Sequence, residues 1–297
     1  MRYFISLSYR GTAYCGWQIQ INKPSVQAEL ERAFSIYLGN ETRITGAGRT
    51  DAGVHAINYI AHFDSANPIL TQDYPKLIYK INAILPPDIT LHNIYHVSDD
   101  AHARFDAVSR TYKYYIHTKK DSFLNQYSYF FPYDLDLEKM NSASSFLLGK
   151  RDFTSMAKLH SDVTTNICTV SEAIWTPCSP LNFKCEATFS DPSSLSTSLS
   201  HSLPFSDTIS DFLSNSIPNS ISHPLSVTTF CFTITANRFL RNMVRAVVGS
   251  LLEVGRGKQE PTWIEEILEQ KNRCFAGSSV PAHPLFLTNI EYPYNIF

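Results

Sequence analysis

The order in which strand and helix periods follow one another constrains this chain most. Tyr3, Ile5 and Leu7 alternate with Phe4, Ser6 and Ser8, the two-residue period of a strand, and run into a glycine-containing loop, Tyr9-Arg10-Gly11-Thr12-Ala13-Tyr14. Val26, Leu30, Ala33, Phe34, Tyr37 and Leu38 then recur at helical spacing, and Gly39 stands where a left-handed C-terminal residue belongs. Strand patterns follow near 42–46, 56–63, 89–97 and 111–118. Helical patterns fall near 71–85, stopped by Pro86-Pro87, near 136–148 before Gly149, and near 239–254 before Gly255. The two periods mingle without a regular βαβ rhythm, which predicts an α+β fold with antiparallel or mixed sheets.

Composition narrows the class. At 297 residues, 43% hydrophobic and 18% charged, the chain has the make-up of an ordinary globular protein and enough length for two domains or one large one. No run approaches the roughly 20 apolar residues that span a bilayer, and the N-terminus lacks the pattern of a signal peptide. The six cysteines include no C-x-x-C pair, which argues against a zinc knuckle or a disulfide framework and makes a reducing cytoplasm the expected compartment. The net charge of −2 is unevenly spread: Ser190–Ser226 holds 14 serines among 37 residues, three Asp and no Lys or Arg, leaving +1 for the rest. This stretch reads as an inserted flexible surface loop without a catalytic role.

Three segments carry more polarity than packing needs. Thr45-Gly46-Ala47-Gly48-Arg49-Thr50-Asp51-Ala52-Gly53-Val54-His55-Ala56 is a glycine-rich loop holding one carboxylate. It is no dinucleotide fingerprint, since Asp51 stands where the third glycine should, and no calcium loop, for want of alternating carboxylates. On residue types alone it reads equally as a tight turn with Asp51 capping backbone N–H groups or as a loop presenting Asp51 to a ligand. The second segment, His102-Ala103-Arg104-Phe105-Asp106-Ala107, leads to Arg110, Tyr112 and Tyr114 on one strand face. Interleaved rings and cations suit a nucleic acid, while a half-buried sheet face would use the same residues. In the third, a helix over 239–254 would put Arg238, Arg241 and Arg245 within about 60° of one another, opposite Leu240, Val244 and Val247. Such a ridge is either solvated charge or a face for an anionic partner or a carboxylate elsewhere. Gly255-Arg256-Gly257-Lys258 is no P-loop.

Gly48-Arg49-Thr50-Asp51-Ala52-Gly53-Val54-His55-Ala56 resembles the signature loop of the tRNA pseudouridine synthase A family. Tyr9-Arg10-Gly11-Thr12-x-Tyr14-x-Gly16-Trp17-Gln18-x-Gln20, Ser25-Val26-Gln27, His102 to Ala107, Arg110-x-Tyr112-x-Tyr114, Asp152-Phe153-Thr154-Ser155, Phe239-Leu240-Arg241-x-Met243-Val244-Arg245 and Val280-Pro281-Ala282 resemble family motifs in the same order. The pattern departs at Ala101, where an aromatic residue is usual, and at Tyr59, where Gln is common; neither is expected to touch the proposed catalytic groups.

The resemblance implies two ferredoxin-like or RRM-like α+β domains, here 1–107 and 108–297, whose sheets join into one central sheet with a basic cleft between. It implies isomerisation of uridine to pseudouridine at positions thirty-eight to forty of the tRNA anticodon stem-loop by a homodimer, with no cofactor and no metal. Asp51 aligns with the catalytic aspartate, Tyr112 with the tyrosine that stacks on the target base, Arg245 with the basic residue pairing that aspartate, and Arg49 with the residue that replaces the flipped base. Arg110, Arg104, His102, Arg238 and Arg241 are expected to bind substrate. The chemistry needs an ionised carboxylate, attacking covalently or taking a sugar proton, and a guanidinium beside it keeps it charged. Two rivals are a silent RNA-binding module and a metal-dependent hydrolase using His55, His62 and His102 with Asp51; the second is disfavoured because His55 and His62 lack a helical i, i+4 relation.

Overall fold

The computed structural model describes residues 1–69, 71–158, 165–178 and 229–294. The Ser190–Ser226 segment lies outside the described residues. Among the described residues, ten strands form one mixed sheet: β1 (Arg2–Tyr9), β2 (Ile44–Gly46), β3 (His55–Asp64), β4 (Ile89–Val97), β5 (Ser109–His117), β6 (Tyr129–Phe130), β7 (Gly149–Asp152), β8 (Ile167–Pro177), β9 (Thr229–Ala236) and β10 (Leu285–Glu291). Their order is β4-β1-β3-β10-β5-β9-β8-β7, with β2 beside β3 and β6 beside β5. β10 runs parallel to β3, pairing Phe286 with His55, and antiparallel to β5, pairing Leu287 with Tyr112. It thereby joins the carboxylate-bearing half of the sheet to the tyrosine-bearing half. The α+β class and the mixed sheet agree with the sequence reading.

Five α-helices pack against this sheet among the described residues: α1 (Val26–Leu38), α2 (Tyr74–Ile84), α3 (Leu137–Ser145), α4 (Met243–Gly255) and α5 (Trp263–Gln270). α1 forms where the period placed it. Ser25 caps it by accepting the Ala28 N–H at 3.4 Å, and Gly39 ends it in the left-handed conformation at φ 75. Its buried face, with Val26, Leu30, Ala33 and Phe34, joins a core containing Tyr3, Phe4, Ile5 and Phe63. Burial of each large apolar side chain is worth about 1.5–3 kcal/mol. A second core gathers Tyr114, Phe153, Trp175, Phe232 and the inner face of α4. Val54 from the first half belongs to the second core, Leu287 and Ile290 of β10 belong to the first, and Tyr112 packs against both.

Two helices differ from expectation. α3 stops at Ser145, short of the predicted 148, and the hydroxyls of Ser144 and Ser145 bond back to the carbonyls of Met140 and Ser142. Such bonds compete with helix continuation. α4 begins at Met243, not near 239, because Asn242 adopts a left-handed backbone at φ 66. Arg238 and Arg241 therefore precede the helix, and the expected three-arginine helical ridge does not form.

Candidate active site

The loop between β2 and β3 is clamped along its length. The Ala47 N–H donates to the Ile60 carbonyl at 2.9 Å, Trp17 N–H to the Thr50 carbonyl at 3.4 Å, and Gly53 N–H to the Tyr14 carbonyl at 3.3 Å. The buried Tyr9 hydroxyl meets Thr50 Oγ1 at 2.9 Å. Tyr59, fully buried and stacked on Trp17 at 4.2 Å, accepts the Gly48 N–H and donates to the Gly48 carbonyl. Tyr59 thus anchors the signature loop through Gly48. Two glycines allow the close approach. A Cβ at Gly11 would collide with the Val54 carbonyl and one at Gly16, whose φ is +95, with the Thr50 carbonyl.

Asp51 stands half-buried in this clamp. Its carbonyl closes a turn by accepting the Val54 N–H at 3.2 Å. Its carboxylate is not spent on a backbone cap; the partner found among the described residues is Arg241, whose Nε lies 3.9 Å from Oδ1. Tyr112 on β5 meets Phe239 edge-on at 5.0 Å. Its hydroxyl pKa is raised, by burial first and then by the negative charge of Asp51. A carboxylate, an aromatic ring and a guanidinium thus converge from three distant segments.

The other predicted residues separate. Arg245, expected beside Asp51, gives its Nε to the Val280 carbonyl at 2.7 Å, which fastens α4 to the Val280-Pro281-Ala282 segment. That segment returns to the loop at Ala282, whose Cβ would sit 3.4 Å from a Cβ on Gly53. Arg110, expected to face substrate, instead donates to four carbonyls: Ala107 at 2.7 Å, Asn237 at 2.8 Å, Arg104 at 2.8 Å and Ala47 at 3.1 Å. Burial lowers its pKa. Arg49 and Arg104 are exposed, and Arg238 is half-buried. His102 is half-buried, its Nδ1 accepting the Arg104 N–H at 3.1 Å.

Two of the buried histidines act as backbone acceptors. His55 Nδ1 takes the Gly11 N–H at 3.0 Å, and His62 Nδ1 takes the Ala103 N–H at 3.1 Å. Burial lowers both pKa values to about 4. Among the described residues, no three His, Cys, Asp or Glu side chains gather as a set of metal ligands. No described helix is long and apolar enough to cross a membrane. Tyr9 and Tyr59 were the supporting residues that sequence reasoning missed; their strand alternation signals burial but not a hydroxyl partner.

Comparisons with known proteins find relatives along the whole chain. A family model described as tRNA pseudouridine synthase matches residues 143–293, which include Arg241 and Arg245 but not the Asp51 loop. Full-length relatives cover that loop. A protein named tRNA pseudouridine synthase A from Bacteroides thetaiotaomicron is 45% identical over 296 residues, spanning 100% of this chain and 92% of its own length. The protein of that name from Bacteroides fragilis is also 45% identical, spanning 100% and 98%. The one from Bacillus subtilis is 33% identical, spanning 98% and 99%.

Proposed function

Because this chain belongs to the tRNA pseudouridine synthase family, we propose that it modifies uridines at positions thirty-eight to forty of the anticodon stem-loop, with Asp51 as the catalytic carboxylate. The chain is an isomerase that converts uridine to pseudouridine in tRNA. The reaction breaks the N1–C1′ bond, turns the base, and joins C5 to C1′; C5 loses a proton and N1 gains one, so no atom is added and no redox partner is needed.

One observation carries the residue assignment: Asp51 lies 3.9 Å from Arg241 and acts electrostatically on Tyr112. The guanidinium sets a positive charge beside the carboxylate that bond cleavage uses. The target base must leave the helix stack, at a cost of a few kcal/mol, and the half-buried Tyr112 ring offers a surface to stack on. Arg49, exposed on the same loop, takes the vacated place. Arg245 serves as a second cation, held through Val280. Arg238, Arg104 and Arg241 contribute to phosphate attraction, which a net charge of −2 does not prevent because binding follows local charge. The enzyme works as a cytoplasmic homodimer without cofactor or metal.

Asp51→Asn tests this reading. It keeps the side chain's size and removes its charge. Isomerisation of a stem-loop uridine under single-turnover conditions should vanish while filter binding of the same RNA persists and weakens with salt. Wild-type turnover in Asp51→Asn would overturn the assignment, and a wild-type protein that binds tRNA without isomerising it would favour the silent binding module.

A further inference from the structure

Phe105 is 74% exposed, yet the turn that carries it is fixed residue by residue. The His102 N–H donates to Asp106 Oδ2 at 2.7 Å, and the Asp106 N–H returns to the His102 carbonyl at 3.0 Å. His102 Nδ1 accepts the N–H groups of Arg104 at 3.1 Å and Phe105 at 3.3 Å. From outside the turn, Tyr292 donates to the Ala103 carbonyl at 2.6 Å and Tyr294 to Asp106 Oδ2 at 2.7 Å. A tip that only met solvent would need none of these restraints, since exposed loops are ordinarily mobile. Restraint of this kind lowers the entropy cost of binding.

The tip presents a ring and a cation together. The Arg104 guanidinium lies 5.7 Å from the Phe105 ring centroid, and the His102 ring stands 4.3 Å away. A single nitrogen ties this tip to the catalytic loop: Arg110 Nη2 donates both to the Arg104 carbonyl at 2.8 Å and to the carbonyl of Ala47, in the loop that carries Asp51, at 3.1 Å. The exposed ring is therefore held in register with the carboxylate.

We propose that the Arg104–Phe105 tip is a second base-stacking site for the RNA substrate. An unpaired nucleotide of the same stem-loop, other than the target uridine, lays its base on the Phe105 ring while Arg104 meets a phosphate. The proposal rests on the reading above that the substrate is a structured RNA. Rings beside cations recognise splayed nucleotides. The apolar surface available, one ring with the exposed Val108 nearby, is far smaller than a stable protein interface.

The test is a cross between protein and RNA changes. Wild type, Phe105→Ala and Phe105→Trp are titrated by filter binding against an anticodon stem-loop and against copies in which each unpaired nucleotide in turn is abasic. Phe105→Ala should weaken binding of the intact RNA about 5- to 150-fold, with the loss in turnover falling mainly on KM, and Phe105→Trp should restore it. At one abasic position the wild type should suffer that same loss and Phe105→Ala no further loss. Equal losses for both proteins at every position would overturn the proposal, as would a change in oligomeric state in Phe105→Ala, which would place the ring in a contact between protein chains. Thermal melting of Phe105→Ala controls for folding. Wild-type turnover on the intact stem-loop, run alongside, separates the two readings: its absence falls on the proposed function, and its presence with an additive abasic scan falls on the tip alone.

Discussion

Arg241 brings its Nε to 3.9 Å from Asp51 Oδ1, from non-helical backbone just before the left-handed Asn242. Arg245, one helical turn further on, is tied to the Val280 carbonyl instead. Two arginines that look equivalent in the sequence therefore hold different things in place.

Their alanine variants should separate accordingly. The Arg241 side chain is 62% exposed and that of Asp51 27%, so the pair adds little to stability. Arg241→Ala should melt like the wild type while kcat falls about 100-fold, the scale on which a preorganised charge acts. Arg245→Ala loses a charged hydrogen bond worth about 1.5–3 kcal/mol, and should lower the urea midpoint as well as kcat. Turnover lost only in Arg245→Ala would make Arg245 the pairing cation.

Arg110 joins the Asp51 loop, the His102–Ala107 turn and the strand end at Asn237 through four carbonyls. Arg110→Met keeps much of the apolar stem and leaves those carbonyls without their donor. A loss of about 3–5 kcal/mol is expected in urea unfolding. Arg110→Lys retains the charge but not the planar fork, and should fall between the two.

Two glycines should respond in opposite ways. At Gly16, with φ +95 and the Thr50 carbonyl against the site of a Cβ, alanine must displace the residue beside Asp51; Gly16→Ala should abolish turnover and lower the melting temperature. At Gly48 nothing lies within 4 Å of an added Cβ. Gly48→Ala should fold normally, so a fall in its kcat/KM would report RNA passing close to that backbone.

Acid should weaken the fold through two buried histidines. His55 and His62 have pKa values near 4 in the folded protein, against about 6.5 when unfolded. Between those values the unfolded chain binds more protons, so stability is full above pH 6.5 and declines as pH falls toward 4, by on the order of 3 kcal/mol for each group. Urea midpoints measured from pH 7.5 to 4 should show this slope, and His62→Gln should flatten it.

Local pattern revealed what local forces decide. The α1 stripe, its serine cap and its glycine end were all legible because each acts within a turn or two of helix. The start of α4 was not, since Arg238 to Asn242 continue a plausible helical spacing and only the left-handed Asn242 interrupts it. Asp51 and Tyr112 were legible as a polar loop and an aromatic strand. The Arg241 partnership depends on how the sheet closes, and pairing across distant strands leaves no trace in spacing. Arg110 was misread for a simpler reason: a guanidinium serving four carbonyls and one serving phosphates have the same one-letter code.

The position of β10 has a temporal consequence. Translated after every other described strand of the sheet, it fills the slot between β3 and β5, so the edges of Asp51's half and Tyr112's half have no common neighbour until Leu285–Glu291 has left the ribosome. The two halves can each gather apolar contacts during synthesis, since folding proceeds from the N-terminus, but the sheet that brings Asp51 and Tyr112 together closes only when β10 is in place. Chains arrested before Leu285 should show protease-resistant fragments and no pseudouridine formation, with both competence and cooperative unfolding appearing together once β10 is supplied.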